Sequence, residues 1–151
     1  MQNLSLITQV QRILNSFRHF TDRELLSVRK TPEEEAKALF EAPFVVVSHG
    51  TEPDPLLNYG NRAALTLWEM SWEELIQTPS RLTAEPVSRE ERARLLSLVT
   101  QKGFIADYRG IRISKTGRRF RIEKAIVWNL MDEQGYYAGQ AASFDRWTYL
   151  S

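Results

Sequence analysis

Residues 104–144 read FIADYRGIRISKTGRRFRIEKAIVWNLMDEQGYYAGQAASF, and this stretch decides the fold. Three runs rich in β-branched and aromatic residues, Phe104–Ile113, Arg119–Leu130 and Tyr136–Phe144, are separated by Ser114–Gly117 and Asp132–Gly135. Runs of that length around short Gly-containing turns predict an antiparallel meander. Along the middle run Phe120, Ile122, Ile126 and Trp128 share one face by alternation, and Arg119, Arg121 and Glu123 the other. Lys124 then falls on the apolar face. A buried ammonium needs a partner, so three readings stay open: a protein carboxylate, a bulge that turns the side chain outward, or a ligand anion.

Working upstream, Gly103 ends a helix expected from Arg89 to Lys102, and the Ser88/Glu91 pair fits a capping box at its start. Asn61 is placed as the N-cap of a helix through Trp68, and a short helix is expected over Trp72–Gln77. Phe44–Ser48 and Leu56–Tyr59 read as two strands. Pro32–Glu41 reads as a helix opened by Thr31 and Glu34, and Thr21/Glu24 and Ser71/Glu74 fit the same capping pattern. The resulting class is α+β: a five-stranded antiparallel sheet with a helical insert on one face. A helical extension, residues 1–38, precedes a core of residues 39–151. Within it Leu6, Val10, Ile13, Phe17 and Phe20 make an apolar seam spaced four, three, four and three residues apart. That seam either packs on its own domain or forms a homodimer interface. The small-residue strand Ala138–Ser143 would let a helix approach the sheet closely.

Composition narrows the chemistry. The 151 residues hold 20 Lys and Arg against 19 Asp and Glu, so no global field points to nucleic acid or a membrane. There is no cysteine and only two histidines, which removes disulfides, thiolate nucleophiles and zinc–sulfur sites. The longest apolar runs, such as Phe44–Val47, fall far short of a membrane span, and Met1–Arg12 lacks the pattern of a signal peptide. A cytoplasmic protein is expected.

The element order is that of PAS domains. Asn58-Tyr59-Gly60-Asn61 followed by Ser71-Trp72-Glu73-Glu74-Leu75 resembles the PAS stretch from the second strand into its first helices. Lys115–Ile122 and Asp132–Gly135 resemble the closing hairpins. The chain is also similar to the PAS-related MEKHLA family, through segments 44–50, 79–86, 108–114, 127–130 and 139–144 and through Trp147. The resemblance covers roughly Leu39 to Trp147. It implies a free-standing protein like those of cyanobacteria, or the C-terminal domain of plant class III homeodomain–leucine zipper factors. The 151 residues contain neither homeodomain nor zipper. It also implies sensing or regulation, and carries over no catalytic residue.

A PAS-like ligand would lie between sheet and insert. The candidate ligand-binding residues are Lys124, Trp128, Trp68, Tyr59, Tyr108, Arg81 and Ile126. The aromatics among them could equally fill a core, and Arg81 could equally sit in solvent. Haem and a cysteinyl-flavin adduct are disfavoured, because the Arg89–Lys102 helix has no histidine and the chain no cysteine. A non-covalent small molecule, including flavin, stays open. The basic run from Arg109 to Lys124 could touch phosphates or merely guard a sheet edge. Three functions remain: a sensory or regulatory module acting on a ligand or protein partner, a ligand-free interaction scaffold, and a small lyase or isomerase using His49 and Asp54.

Overall fold

The computed structural model describes residues 4–150; Met1–Asn3 of the expected extension and Ser151 of the expected core lie outside the described residues. The chain begins with α1 (Leu4–Thr21) and α2 (Pro32–Glu41). Thr31 accepts from the Glu34 amide and the Glu34 carboxylate takes the Thr31 amide, so this capping box forms as expected. Strands β1 (Val45–His49) and β2 (Leu57–Gly60) follow, then α3 (Arg62–Trp68) and α4 (Trp72–Leu75). Asn61 caps α3 through the Ala64 amide at 3.2 Å. Fully buried, it also accepts from the Val46 amide at 3.0 Å and donates to the carbonyls of Leu39 and Phe44. One amide side chain thereby ties α2, β1 and α3 together. Ser71 and Glu74 cap α4 reciprocally.

Two expected caps, Thr21/Glu24 and Ser88/Glu91, do not form. Thr21 closes α1 instead of opening a helix: its hydroxyl donates to the Phe17 carbonyl, and Asp22 turns into the left-handed region at φ 59°. Glu24 is drawn to Arg18 and Arg29. The long helix of the insert, α5 (Pro86–Lys102), starts three residues before the expected Arg89, because proline suits the first helical position. A single 3-10 turn, Ser80–Thr83, precedes it.

The meander comprises β3 (Phe104–Ile113), β4 (Arg119–Met131) and β5 (Tyr137–Phe144), with an additional β6 (Arg146–Tyr149). All pairings are antiparallel in the order β2-β1-β5-β4-β3, and β6 pairs with β4. Because Ile126 faces Ser143 and Glu123 faces Arg146, β6 continues the line of β5 along the same edge of β4. The sheet is therefore five rows wide, one row broken at Asp145.

β3 and β4 carry opposed irregularities. Ile105 pairs with Val127, Tyr108 with Ala125 and Gly110 with Ile122, so each strand holds one extra residue in turn. Asp107 at φ 57° and Lys124 at φ 54° take up the two bulges. The consequence is a change of facing. Phe120 and Ile122 point toward the insert, as do Ala125 and Val127, whereas Ile126, Trp128 and Leu130 point the other way. The alternation expected for Phe120, Ile122, Ile126 and Trp128 is thus interrupted, and Lys124 is exposed. Of the three readings for Lys124, the bulge is correct.

The two sheet faces have different covers. α3 and α5 pack on the face that carries Val45, Val47 and Val127. α1 lies across the opposite face, where Val10, Ile13, Leu14 and Phe17 pack with Val46, Trp128, Leu130 and Ala141. Trp128 donates from Nε1 to the Ile13 carbonyl at 3.3 Å and meets Phe17 edge-on at 4.9 Å. The Met131 amide donates to Ser16 Oγ at 2.9 Å. Val10 and Ile13 are fully buried and Phe17 nearly so, while Leu6 and Phe20 are partly buried against the same side. The expected seam is therefore occupied by its own sheet, and Val10, Ile13 and Phe17 offer no surface to a second copy. Gly103, at φ 97°, closes this corner: a Cβ there would stand 2.6 Å from Phe20 Cδ1.

Candidate functional site

Between the insert-facing side of the sheet and α5 lies a cavity in which about 60 Å³ is open to the centres of water molecules. This is a small space, well below the ~150 Å³ of an apolar cavity that takes up benzene, and it is partly open to solvent. Strand alternation builds one wall. Val47 and His49 come from β1, Gln140, Ala142 and Phe144 from β5, Ile122 and Val127 from β4, and Tyr108 and Arg112 from β3. The opposite wall comes from Trp68 on α3, Ser80 and Thr83 on the 3-10 turn, and Arg92, Leu95 and Leu96 on α5.

His49 ends β1 and is 8% exposed. Its Nδ1 lies 3.0 Å from the Gly50 carbonyl, which can only accept, so the proton sits on Nδ1. Nε2 is buried and has no partner of good hydrogen-bond geometry, although the Gln140 side chain stands within reach of the ring. Burial, reinforced by the charge of Arg92, holds the imidazole below its ordinary pKa, against the opposing bonds to the Gly50 carbonyl and the Gln140 side chain. The strand crosses β5 very closely here: Gly139, at φ 119°, approaches the His49 carbonyl so nearly that a Cβ would stand 2.0 Å from the oxygen.

Two arginines line the same space. Arg112, 7% exposed, donates to the Ile111 carbonyl at 2.8 Å and to the Tyr108 hydroxyl at 3.2 Å. The hydroxyl in turn donates a hydrogen bond to Glu91 at 2.9 Å. Arg92 donates to Ser80 Oγ. Burial first, and then repulsion from Arg112, lowers the Arg92 guanidinium to about 10. Among the described residues neither arginine meets a carboxylate directly. Gln140 Nε2, with two hydrogens to donate, stands 3.0–3.1 Å from three acceptors, the Leu96 carbonyl, Thr100 Oγ1 and Asn129 Oδ1. Asn129 Nδ2 in turn donates to the Val99 carbonyl at 3.1 Å. The end of α5 is thus clamped to β4 and β5 beside the cavity.

The candidates named from sequence divide sharply. Trp68 and Tyr108 line the cavity. Trp128, Ile126 and Tyr59 belong to the α1 side of the sheet, placed there by the β4 bulge and by the pairing of Tyr59 with Ser48. Lys124 is in solvent. Arg81 is half exposed and bonds both oxygens of Asp54 at 3.2 Å, outside the cavity. Asp54 is engaged by Arg81 and His49 by the Gly50 carbonyl, and no hydrogen bond joins the two residues expected to form the acid–base pair of a lyase or isomerase. Arg92 and Gln140 escaped the sequence reading, and Arg112 entered it only as a member of the basic run from Arg109 to Lys124. Arg92 shares the helical stripe of Leu95, Leu96 and Val99, a basic residue in phase with apolar ones, and that phase was its visible signal.

The basic run is partly matched by the insert. Lys115 pairs with Glu74, Arg119 with Glu85 at 3.6 Å, and Arg118 stacks 3.5 Å over Tyr149. Among the described residues no group of three His, Asp or Glu side chains could hold a metal, and no helix is long and apolar enough to cross a membrane.

Known proteins agree with this architecture. The PAS domain of a protein from Colwellia psychrerythraea superposes with a TM-score of 0.64 at 20% identity, covering 75% of this chain and 94% of that one. An RNA-binding light-oxygen-voltage receptor gives 0.65 at 18% identity, over 82% of this chain and 36% of that one. Among curated proteins, the homeobox-leucine zipper protein HOX29 of Oryza sativa subsp. japonica is 25% identical over 142 residues, 91% of this chain and 16% of its own length. REVOLUTA of Arabidopsis thaliana is 22% identical over 150 residues, 95% of this chain and 18% of its own length. The chain thus spans less than a fifth of these relatives. The family model described as the MEKHLA domain matches residues 7–149, from within α1 to the end of β6, and the chain belongs to this PAS-related family.

Proposed function

We propose that this chain is a sensory or regulatory module that reads a small ligand held between sheet and insert. The observation that carries the reading is the cavity itself: a mostly apolar space that contains a buried, unpartnered His49 Nε2. An unsatisfied buried polar atom costs about 1–3 kcal/mol, and a ligand or water that bonds it recovers that cost. With about 60 Å³ open to water centres the space is small and partly open to solvent, so a ring-sized occupant would project through the open side of the cavity. Its walls do not fit the three fused rings of a flavin, nor a porphyrin, and there is no cysteine for a flavin adduct.

The relay follows from β4. Val127 and Asn129 serve the cavity side, while Trp128 and Leu130, their immediate neighbours, seat α1. A ligand that shifts β4 alters both contacts. It acts as a signal only if it binds two arrangements of α1 with different affinity. Residues 1–38 then serve as the output cap on a core of residues 39–151.

Native mass spectrometry of the purified full chain tests the proposal, with Ala142→Leu as the cavity-filling control. The expected result is a non-covalent mass increment of a small organic molecule, lost in Ala142→Leu. An identical spectrum from both proteins, with no increment even after soaking in a library of small organic acids and amides, contradicts it. The Tyr59 hydroxyl is also buried without a partner, but Tyr59 does not line this cavity and packs edge-on against Trp72 at 5.9 Å.

A further inference from the structure

Burying a guanidinium is costly unless a counter-charge accompanies it. Arg92 and Arg112 line one small cavity, repel each other, and are held by a hydroxyl, a carbonyl and a phenol rather than by an acid. The nearby Glu91 reaches Arg112 only through the Tyr108 hydroxyl. The rest of the lining is dominated by hydrocarbon, including Leu95, Val127 and Phe144.

We propose that the ligand of this cavity is a small organic carboxylate with a compact apolar body, its carboxylate held by Arg92 and Arg112. The inference rests on the cavity being the ligand site and adds the charge and shape of the occupant. An anion here supplies the countercharge that the two guanidiniums lack, and planar guanidiniums match the two oxygens of a carboxylate. Inorganic anions satisfy the charge but leave the Leu95–Val127–Phe144 wall uncovered. A dianion the size of a nucleotide exceeds the space. His49 orients the occupant: its Nε2 presents a lone pair, which repels carboxylate oxygens and directs them toward the arginine end. The opposite end of the ligand meets His49 with a donor or with carbon.

The test is isothermal titration of the full chain with benzoate, benzamide and inorganic phosphate, repeated with Arg92→Gln and Arg112→Lys. Benzamide keeps the ring and shape of benzoate and lacks its charge. The expected result is saturable benzoate binding at least about tenfold tighter than benzamide or phosphate, as a charge-assisted bond provides. Arg92→Gln, which can still bond Ser80, should bring benzoate down to the level of benzamide. Arg112→Lys, which keeps the charge and loses the fork, should weaken benzoate and spare benzamide. Both variants are checked for an unchanged unfolding transition, and the benzamide titration serves as a second control for an intact cavity. Equal or tighter binding of benzamide overturns the carboxylate inference and leaves the cavity as a site. Tighter phosphate binding overturns the apolar body. No binding of any of the three overturns the carboxylate inference, while the ligand-binding reading stands or falls separately on the native mass spectrum and its Ala142→Leu control.

Discussion

Lys124 holds a backbone conformation, φ 54°, that costs an ordinary side chain about 1–2 kcal/mol relative to glycine's freedom there. Its ammonium stands in solvent and its role is geometric: one surplus residue on β4 switches which side chains face the insert. Lys124→Gly should therefore leave stability unchanged or raise it by up to about 1 kcal/mol in chemical denaturation, with benzoate affinity unaltered. A loss of more than about 1 kcal/mol, or a tenfold weaker ligand, would show that the side chain has a role which the structure does not give it. The same residue explains the largest misreading of the sequence. Strict alternation from Phe120 puts Trp128 with Ile122, and no local composition announces the extra residue, because Asp107 and Lys124 are not glycines. Once the bulge is counted, Val127 replaces Trp128 in the cavity wall.

At the scale of elements, α1 and α2 are joined by a buried acid. Glu35 is 2% exposed and accepts from Arg29 Nε at 2.5 Å, Gln11 Nε2 at 2.8 Å and the Lys30 amide at 2.8 Å. Burial pushes its pKa up, but these three donors outweigh burial and hold the carboxyl down to about 2. Its contribution to stability is present above the unfolded value near 4.5 and is lost as pH falls toward 2. Glu35→Gln should cost about 1–3 kcal/mol at pH 7 and flatten the stability curve between pH 5 and pH 2. Parallel acid curves for the wild type and the variant would refute the assignment. Element boundaries show the same competition between local and tertiary terms. The Thr31/Glu34 and Ser71/Glu74 boxes formed where a free helix start followed. At Thr21 the same letters closed a helix, since Glu24 had stronger partners in Arg18 and Arg29. Strand β6 was missed because its four residues read as a tail until β4 offers an edge.

For the molecule as a whole, order and period carried most of the fold. The meander, the two early strands and the helical insert were legible because each has its own turn or cap chemistry. The site was less so. Trp68 and Tyr108 were found as aromatics on the right elements, while Arg92, Arg112 and Gln140 are brought together by packing across α5, β3 and β5, which no single segment encodes. The arrangement that emerges is a sheet with a cavity on one face and a docked helix on the other, and β4 common to both. Two tryptophans report on the two faces independently. Trp68 lines the cavity with an unpartnered Nε1, and Trp128 donates from Nε1 to Ile13 of α1. The most direct test is to follow both indole N–H resonances by NMR during a benzoate titration of the full chain. The account predicts that both shift and saturate with one midpoint. A shift at neither contradicts the cavity as a carboxylate site, and a saturating shift at Trp68 alone contradicts the relay through β4.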